Sequence, residues 1–94
     1  MTRHVKTDWW KDIFDDIYLM TDARSVGDDH LTRQEVDFIE SALNLDPEAP
    51  ILDMCGGQGR HALELSRRGF LNVTVLDYSN YLVHAGKQAA LDQN

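Results

Sequence analysis

The stretch ILDMCGGQGRHALEL, Ile51 to Leu65, decides how the chain is read. It opens as a short apolar run, breaks at Gly56, Gly57 and Gly59, and resumes with Ala62, Leu63 and Leu65 at helical spacing. The spacing predicts a strand over Ile51 to Met54, a loop over Cys55 to Gly59, and a helix that Gly69 caps at its carboxyl end. Pro47 and Pro50 stand just before the strand and separate it from whatever helix precedes, because proline disfavours helical backbone at its own and the preceding position.

Working outward, NVTVLD is a second strand, rich in β-branched residues and ending at Asp77. Ser79 is placed to cap a last helix that turns Leu82, Ala85 and Ala89 inward. Upstream, Thr32 and Glu35 have the spacing of a capping box, and Val36, Ile39 and Leu43 give the helix after them a buried face. Further upstream, Trp10, Ile13, Phe14 and Ile17 form one apolar stripe of a helix starting near Thr7 or Asp8, and Ala23 to His30 reads as a loop. The order from Pro50 is strand, glycine loop, helix, strand, helix. It is the opening of an α/β fold with a doubly wound parallel sheet, preceded by two helices. The chain divides into residues 1–49, a helical segment able to act as a lid, and residues 50–94, the start of an α/β domain that stops after its second strand.

Composition narrows the function classes. The 94 residues carry a formal charge of −7, with 12 acidic and 5 basic side chains before residue 51 and 4 of each after it. That balance offers no basic face for a nucleic-acid backbone or an anionic membrane. No apolar stretch approaches the roughly 20 residues of a membrane span, and the amino terminus has no signal-peptide core, so a cytoplasmic setting is expected. Cys55 is the lone cysteine, which precludes an internal disulfide. His4, His30, His61 and His84 show no ligand spacing with one another or with Cys55, and no metal is assigned.

In doubly wound sheets a ligand lies beyond the carboxyl ends of the strands, where glycines let it approach the backbone and the next helix offers unpaired N–H groups. Two patterns compete for that space. Gly57, Gly59 and Ala62 satisfy the G-x-G-x-x-A of a dinucleotide fingerprint, with Asp77 20 residues after Gly57, which points to NAD(P) or FAD. The other pattern sets Asp53 near the end of the first strand, followed by small residues at Cys55, Gly57 and Gly59.

ILDMCGGQGRHALELSRRGF followed by VTVLDYSNYLVHAG resembles the first two motifs of the class I S-adenosylmethionine-dependent methyltransferases, most closely from Ile51 to Gly86. The resemblance implies a Rossmann-like fold and methyl transfer from S-adenosyl-L-methionine, leaving S-adenosyl-L-homocysteine. It assigns Asp53 to the region of the methionine amino group, directly or through the loop it holds, and the backbone of Cys55, Gly56, Gly57, Gln58 and Gly59 to the methionine and ribose parts of the cofactor. It gives Asp77 the two ribose hydroxyls and Tyr78 the adenine face. Trp9, Trp10 and Tyr18 read as core and packing residues, or as parts of a lid from which Tyr18 reaches the cofactor's carboxylate.

Cys55 stands where the family usually has glycine; a small residue there is a tolerated variation, and a nucleophilic cysteine is the alternative. The family's acceptor-positioning residues come from later strands, so the resemblance names neither catalytic residues nor an acceptor. Two further readings stay open. In one, the glycines form a tight turn and Asp77 caps a helix in a structural domain. In the other, the chain is a non-catalytic fragment whose uncovered sheet is met by self-association into a homo-oligomer or by a missing carboxy-terminal half.

Overall fold

The parallel pairing of Ile51–Met54 (β1) with Val73–Leu76 (β2) organises the molecule, in the register Ile51 to Val73, Leu52 to Thr74, Asp53 to Val75 and Met54 to Leu76. A computed structural model describes residues 6–21 and 27–93. Around the strands lie helices α1 (Trp10–Ile13), α2 (Asp16–Thr21), α3 (Asp29–Leu43), α4 (Arg60–Arg67) and α5 (Asn80–Gln93). The fold is a mixed α/β arrangement on a two-stranded parallel sheet.

Strand alternation sets the two faces apart. Ile51, Asp53, Val73 and Val75 are half-buried, while Leu52, Met54, Thr74 and Leu76 are exposed on the other side. The core joins Val36 of α3, Leu65 of α4 and Phe70, with Leu45, Ile51 and Val73 packed against them. Leu82 of α5 is 1% exposed, a burial that stabilises by about 2 kcal/mol. Helix α4 ends in a Schellman arrangement: the N–H of Gly69 donates to the Ser66 carbonyl and that of Phe70 to the Leu65 carbonyl, both at 3.1 Å. Gly69 takes φ +98° there, as its position after the helix predicts.

Three expectations upstream of β1 are corrected. The single amino-terminal helix is two short ones, broken at Phe14 and Asp15. Its cause is local: the Asp15 and Asp16 carboxylates both accept the N–H of Ile17, at 2.9 and 3.0 Å, competing with the helical ladder. The second correction moves the start of α3 to Asp29, so that the expected loop ends at Asp28; Ala23 to Val26 lie outside the described residues. Asp28 is the N-cap, accepting from Leu31 at 3.0 Å, and Thr32 bonds back to the Asp28 carbonyl, which leaves Glu35 free for a tertiary partner. Third, α3 ends at Asn44 in left-handed conformation, φ 48°, ahead of both prolines, with Leu43 exposed rather than inward.

Candidate functional site

The loop leaving β1 is built from backbone that only some residues tolerate. Cys55, Gly57 and Gly59 take φ values of 56°, 60° and 81°. For Cys55 this left-handed conformation is a strained one, and it explains why glycine suits the position. The N–H of Gly56 donates to the Leu76 carbonyl at 3.3 Å, and that of Gly59 to the Gly56 carbonyl at 2.9 Å, closing a turn at the carboxyl ends of both strands. A Cβ on Gly56 would lie 2.7 Å from Asp53 Cγ and Oδ2, so backbone and carboxyl group are stacked with no room for a side chain. Helix α5 bears on the same loop, since a Cβ on Gly86 would lie 2.6 Å from the Gln58 carbonyl oxygen.

Two carboxylates flank the loop. Asp77 Oδ2 accepts the N–H of Gly57 at 2.8 Å, and its Oδ1 accepts the N–H of Ser79 at 2.8 Å. Each carboxylate oxygen has a second lone pair, so two acceptor positions stay open for a ligand. Asp53 differs. Its Oδ2 is buried and meets no hydrogen-bond partner among the described residues. Burial raises its pKa above the ordinary carboxyl value, helped by the charge of Asp77 and opposed by His61 and Arg60.

The start of α4 is fixed from α3. Arg60 donates to Glu35 Oε1 at 2.6 Å and to Thr32 Oγ at 3.1 Å, while His61 Nε2 stands 3.5 Å from the same Glu35 oxygen. Arg60 foremost holds the Glu35 carboxyl below its usual range.

At the end of β2 the amino-terminal segment crosses the site. The Trp10 and Tyr78 rings meet edge to face with centroids 5.2 Å apart, and the Lys11 ammonium lies 5.5 Å from the Trp10 ring and 5.8 Å from the Tyr78 ring. Ser79 Oγ caps α5 by accepting the N–H of Leu82 at 3.1 Å and donates its own hydrogen to the Phe14 carbonyl. Tyr18 packs its ring against Phe14 at 5.1 Å. Trp9 and Trp10 are exposed at 49% and 41%, so the reading of both as core residues is corrected. With two short helices in place of one long one, the apolar stripe that would have buried them is broken.

Asp53, the Cys55 to Gly59 loop, Asp77 and Tyr78 therefore meet at one end of the sheet, and Tyr18 joins them at second hand through Phe14. A cavity of about 410 Å³ lies beside the loop between α4 and α5, bounded by Gly57 to Gly59, Ser66, Val83 and Lys87, but Asp53, Asp77 and Tyr78 do not line it. Residues 73–75 of β2 also line it. Among the described residues no group of three or more His, Cys, Asp or Glu could hold a metal, and no helix is long and apolar enough to cross a membrane. Sequence reading missed Lys11 and the Arg60–Glu35 pair, whose partners are brought together only by tertiary packing. No family model, curated protein or solved structure matches the chain.

Proposed function

We propose that the chain is the cofactor-binding opening of a Rossmann-like class I methyltransferase, taking S-adenosyl-L-methionine at the carboxyl ends of β1 and β2. The observation that carries this reading is the pair of carboxylates flanking the glycine loop, one of them with a buried oxygen that has no donor among the described residues. An orphaned carboxylate oxygen is costly unless a donor arrives, and an ammonium supplies one with charge. Asp53 would take the amino group, Asp77 would accept from the ribose hydroxyls, and Tyr78 would offer its ring to the base. The loop from Cys55 to Gly59, kept bare of side chains at Gly56, would let the ligand lie on backbone. When bound, the cofactor supplies an electrophilic methyl group on a sulfonium. The chain's own part is to bind and orient it.

Asp53 weighs against NAD(P) or FAD. A pyrophosphate on this loop would face Asp53, whose charged form burial already disfavours, whereas Asp77 suits the ribose of either ligand. A second reading has one observation in its favour: both Asp77 oxygens accept backbone N–H groups, as a purely structural cap would.

Calorimetric titration with S-adenosylhomocysteine and with NADH separates the three. We expect binding of S-adenosylhomocysteine alone, weakened by at least about tenfold in Asp77→Ala and unchanged in Asp92→Ala, an exposed site on α5. Asp77→Asn should lose less, because it keeps one acceptor oxygen. Circular dichroism melts of each variant show whether Gly57 and Ser79 keep their places without the carboxylate. Binding of NADH alone overturns the proposal, and binding of neither leaves Asp77 a cap.

A further inference from the structure

The sequence offered Trp10 as a packing residue and gave Lys11 no role, yet the structure holds both against the exposed ring of Tyr78, next after Asp77. Tyr78 is 63% exposed, and the rings of Trp10 and Tyr78 stand at 78° to each other. Two rings near a right angle form a corner, in which a flat base stacks on one ring and turns its rim to the other. The Lys11 ammonium lies over both rings, and its carboxylate neighbour among the described residues, Asp8, is at 3.9 Å and so holds it loosely. An ammonium has three donors and no acceptor. Adenine carries acceptor nitrogens on its ring, so this corner supplies stacking area and a charged donor together.

The segment's placement is registered to the site rather than to the core. Ser79 Oγ ties the Phe14 carbonyl to the first turn of α5, two residues from Asp77. Helices α1 and α2 have 4 and 6 residues, too few to be stable on their own. Trp9, Phe14, Ile17 and Met20 are all more than a third exposed. Such a segment is held weakly where it is, and closing over an apolar ligand face adds burial that it lacks now.

We propose that Trp10 and Lys11 form the second wall of the base-binding end of the site: Trp10 borders a purine stacked on Tyr78, and Lys11 donates to one of its ring nitrogens. This rests on the reading of Asp77 and Tyr78 as nucleoside-binding residues. Residues 6–21 are then a strap that binds the base, and Ser79 is the positioning residue that aligns the strap with Asp77.

The test uses the 94-residue chain, S-adenosylhomocysteine, and adenosine as a probe that carries only base and ribose. Lys11→Met should weaken both ligands by about fivefold and Trp10→Ala by about tenfold or more, each by the same factor for the two ligands. The chain has two tryptophans, so Trp9→Phe leaves Trp10 as the sole indole reporter, and its emission should shift on addition of either ligand. This fluorescence measurement keeps both wall residues native and decides the matter even where Trp10→Ala disturbs the strap. Binding by the parent with unchanged affinity in both variants and a silent Trp10 overturns the inference and leaves the cofactor reading intact. Failure of the parent to bind either ligand overturns both.

Discussion

Asp53 lies on the helix-facing side of β1 with Ile51, and one of its oxygens is buried against Gly56 with no donor among the described residues. Its folded pKa is raised, first by burial, so the native state holds a proton over a pH range where the unfolded chain has lost it. The sign follows directly: this group's contribution to stability is full below the unfolded carboxyl value of about 3.9 and is lost as pH rises through the folded one. Asp53→Asn keeps the shape and removes the charge. Thermal melts at neutral pH should then show a gain of up to about 5 °C, while affinity for S-adenosylhomocysteine falls. Binding of a cationic amine would reverse the shift, so the parent's affinity should rise with pH through the titration of Asp53. Lower stability in Asp53→Asn with unchanged affinity would mean that the carboxylate serves the fold and not a ligand. Cys55, two residues on, is the other strained point, at φ 56°. A left-handed residue with a side chain costs about 1–2 kcal/mol, which a site can carry only if the turn around it is firmly held.

The turn is held because α3 and α4 are joined by ion pairs as well as by Val36 and Leu65. Arg68 donates to Asp37 at 2.7 Å, to Glu40 at 3.0 Å and to Glu64 at 2.8 Å, while Arg67 takes the other Glu64 oxygen at 2.9 Å. Glu64 is buried, and its hydrogen bond from Arg68 above all holds its pKa down; Glu35 is held down by Arg60. These carboxyls act opposite to Asp53, giving stability that is present above the unfolded value of about 4.3 and lost as pH falls through the folded values. Melts between neutral and acid pH should therefore show a steep acid limb. Glu64→Gln should flatten it and cost about 1–2 kcal/mol at neutral pH, because the arginines keep an acceptor but lose a charged one. Identical acid limbs in parent and variant would remove Glu64 from the account. The pairs that cross to α3 were not legible beforehand, since Arg60 and Glu35 are 25 residues apart and Arg68 and Asp37 are 31 apart, whereas Glu64 with Arg67 and Arg68 has the local spacing of helix pairs. What was legible is local: the β-branched run of β2, the glycines where the loop turns left-handed, Ser79 ahead of α5 and Gly69 after α4. The break at Phe14 and Asp15 was missed because the period-3.6 stripe ran straight across it, and two aspartate caps outweighed the stripe.

Viewed entire, the molecule carries more surface than its mass calls for. Its accessible area is 7180 Å², against about 5,500 Å² for a folded monomer of this mass. Its radius of gyration is 15.1 Å, against about 12 Å for a compact domain of this length. The strands contribute to the excess. Leu52, Met54 and Leu76 are exposed at 57%, 65% and 54% on the sheet face that carries no helix. Parallel sheets are normally covered on both faces, and among the described residues β1 and β2 pair only with each other, leaving an unpaired edge on each side. Water is a poor neighbour for that face, so the isolated 94-residue chain should associate as its concentration rises, read by size-exclusion chromatography with light scattering across a hundredfold dilution. Leu52→Lys places a charge in the middle of the exposed face without touching the helix-facing side, and it should shift the chain toward monomer while β1 and β2 stay paired. Association driven by the face also predicts strong binding of an apolar dye by the dissolved chain and loss of that signal in the associated form. A monomer at every concentration, with a cooperative melt and no dye binding, would show that the helices and the strap already satisfy the sheet, and that the apolar face is no interface at all.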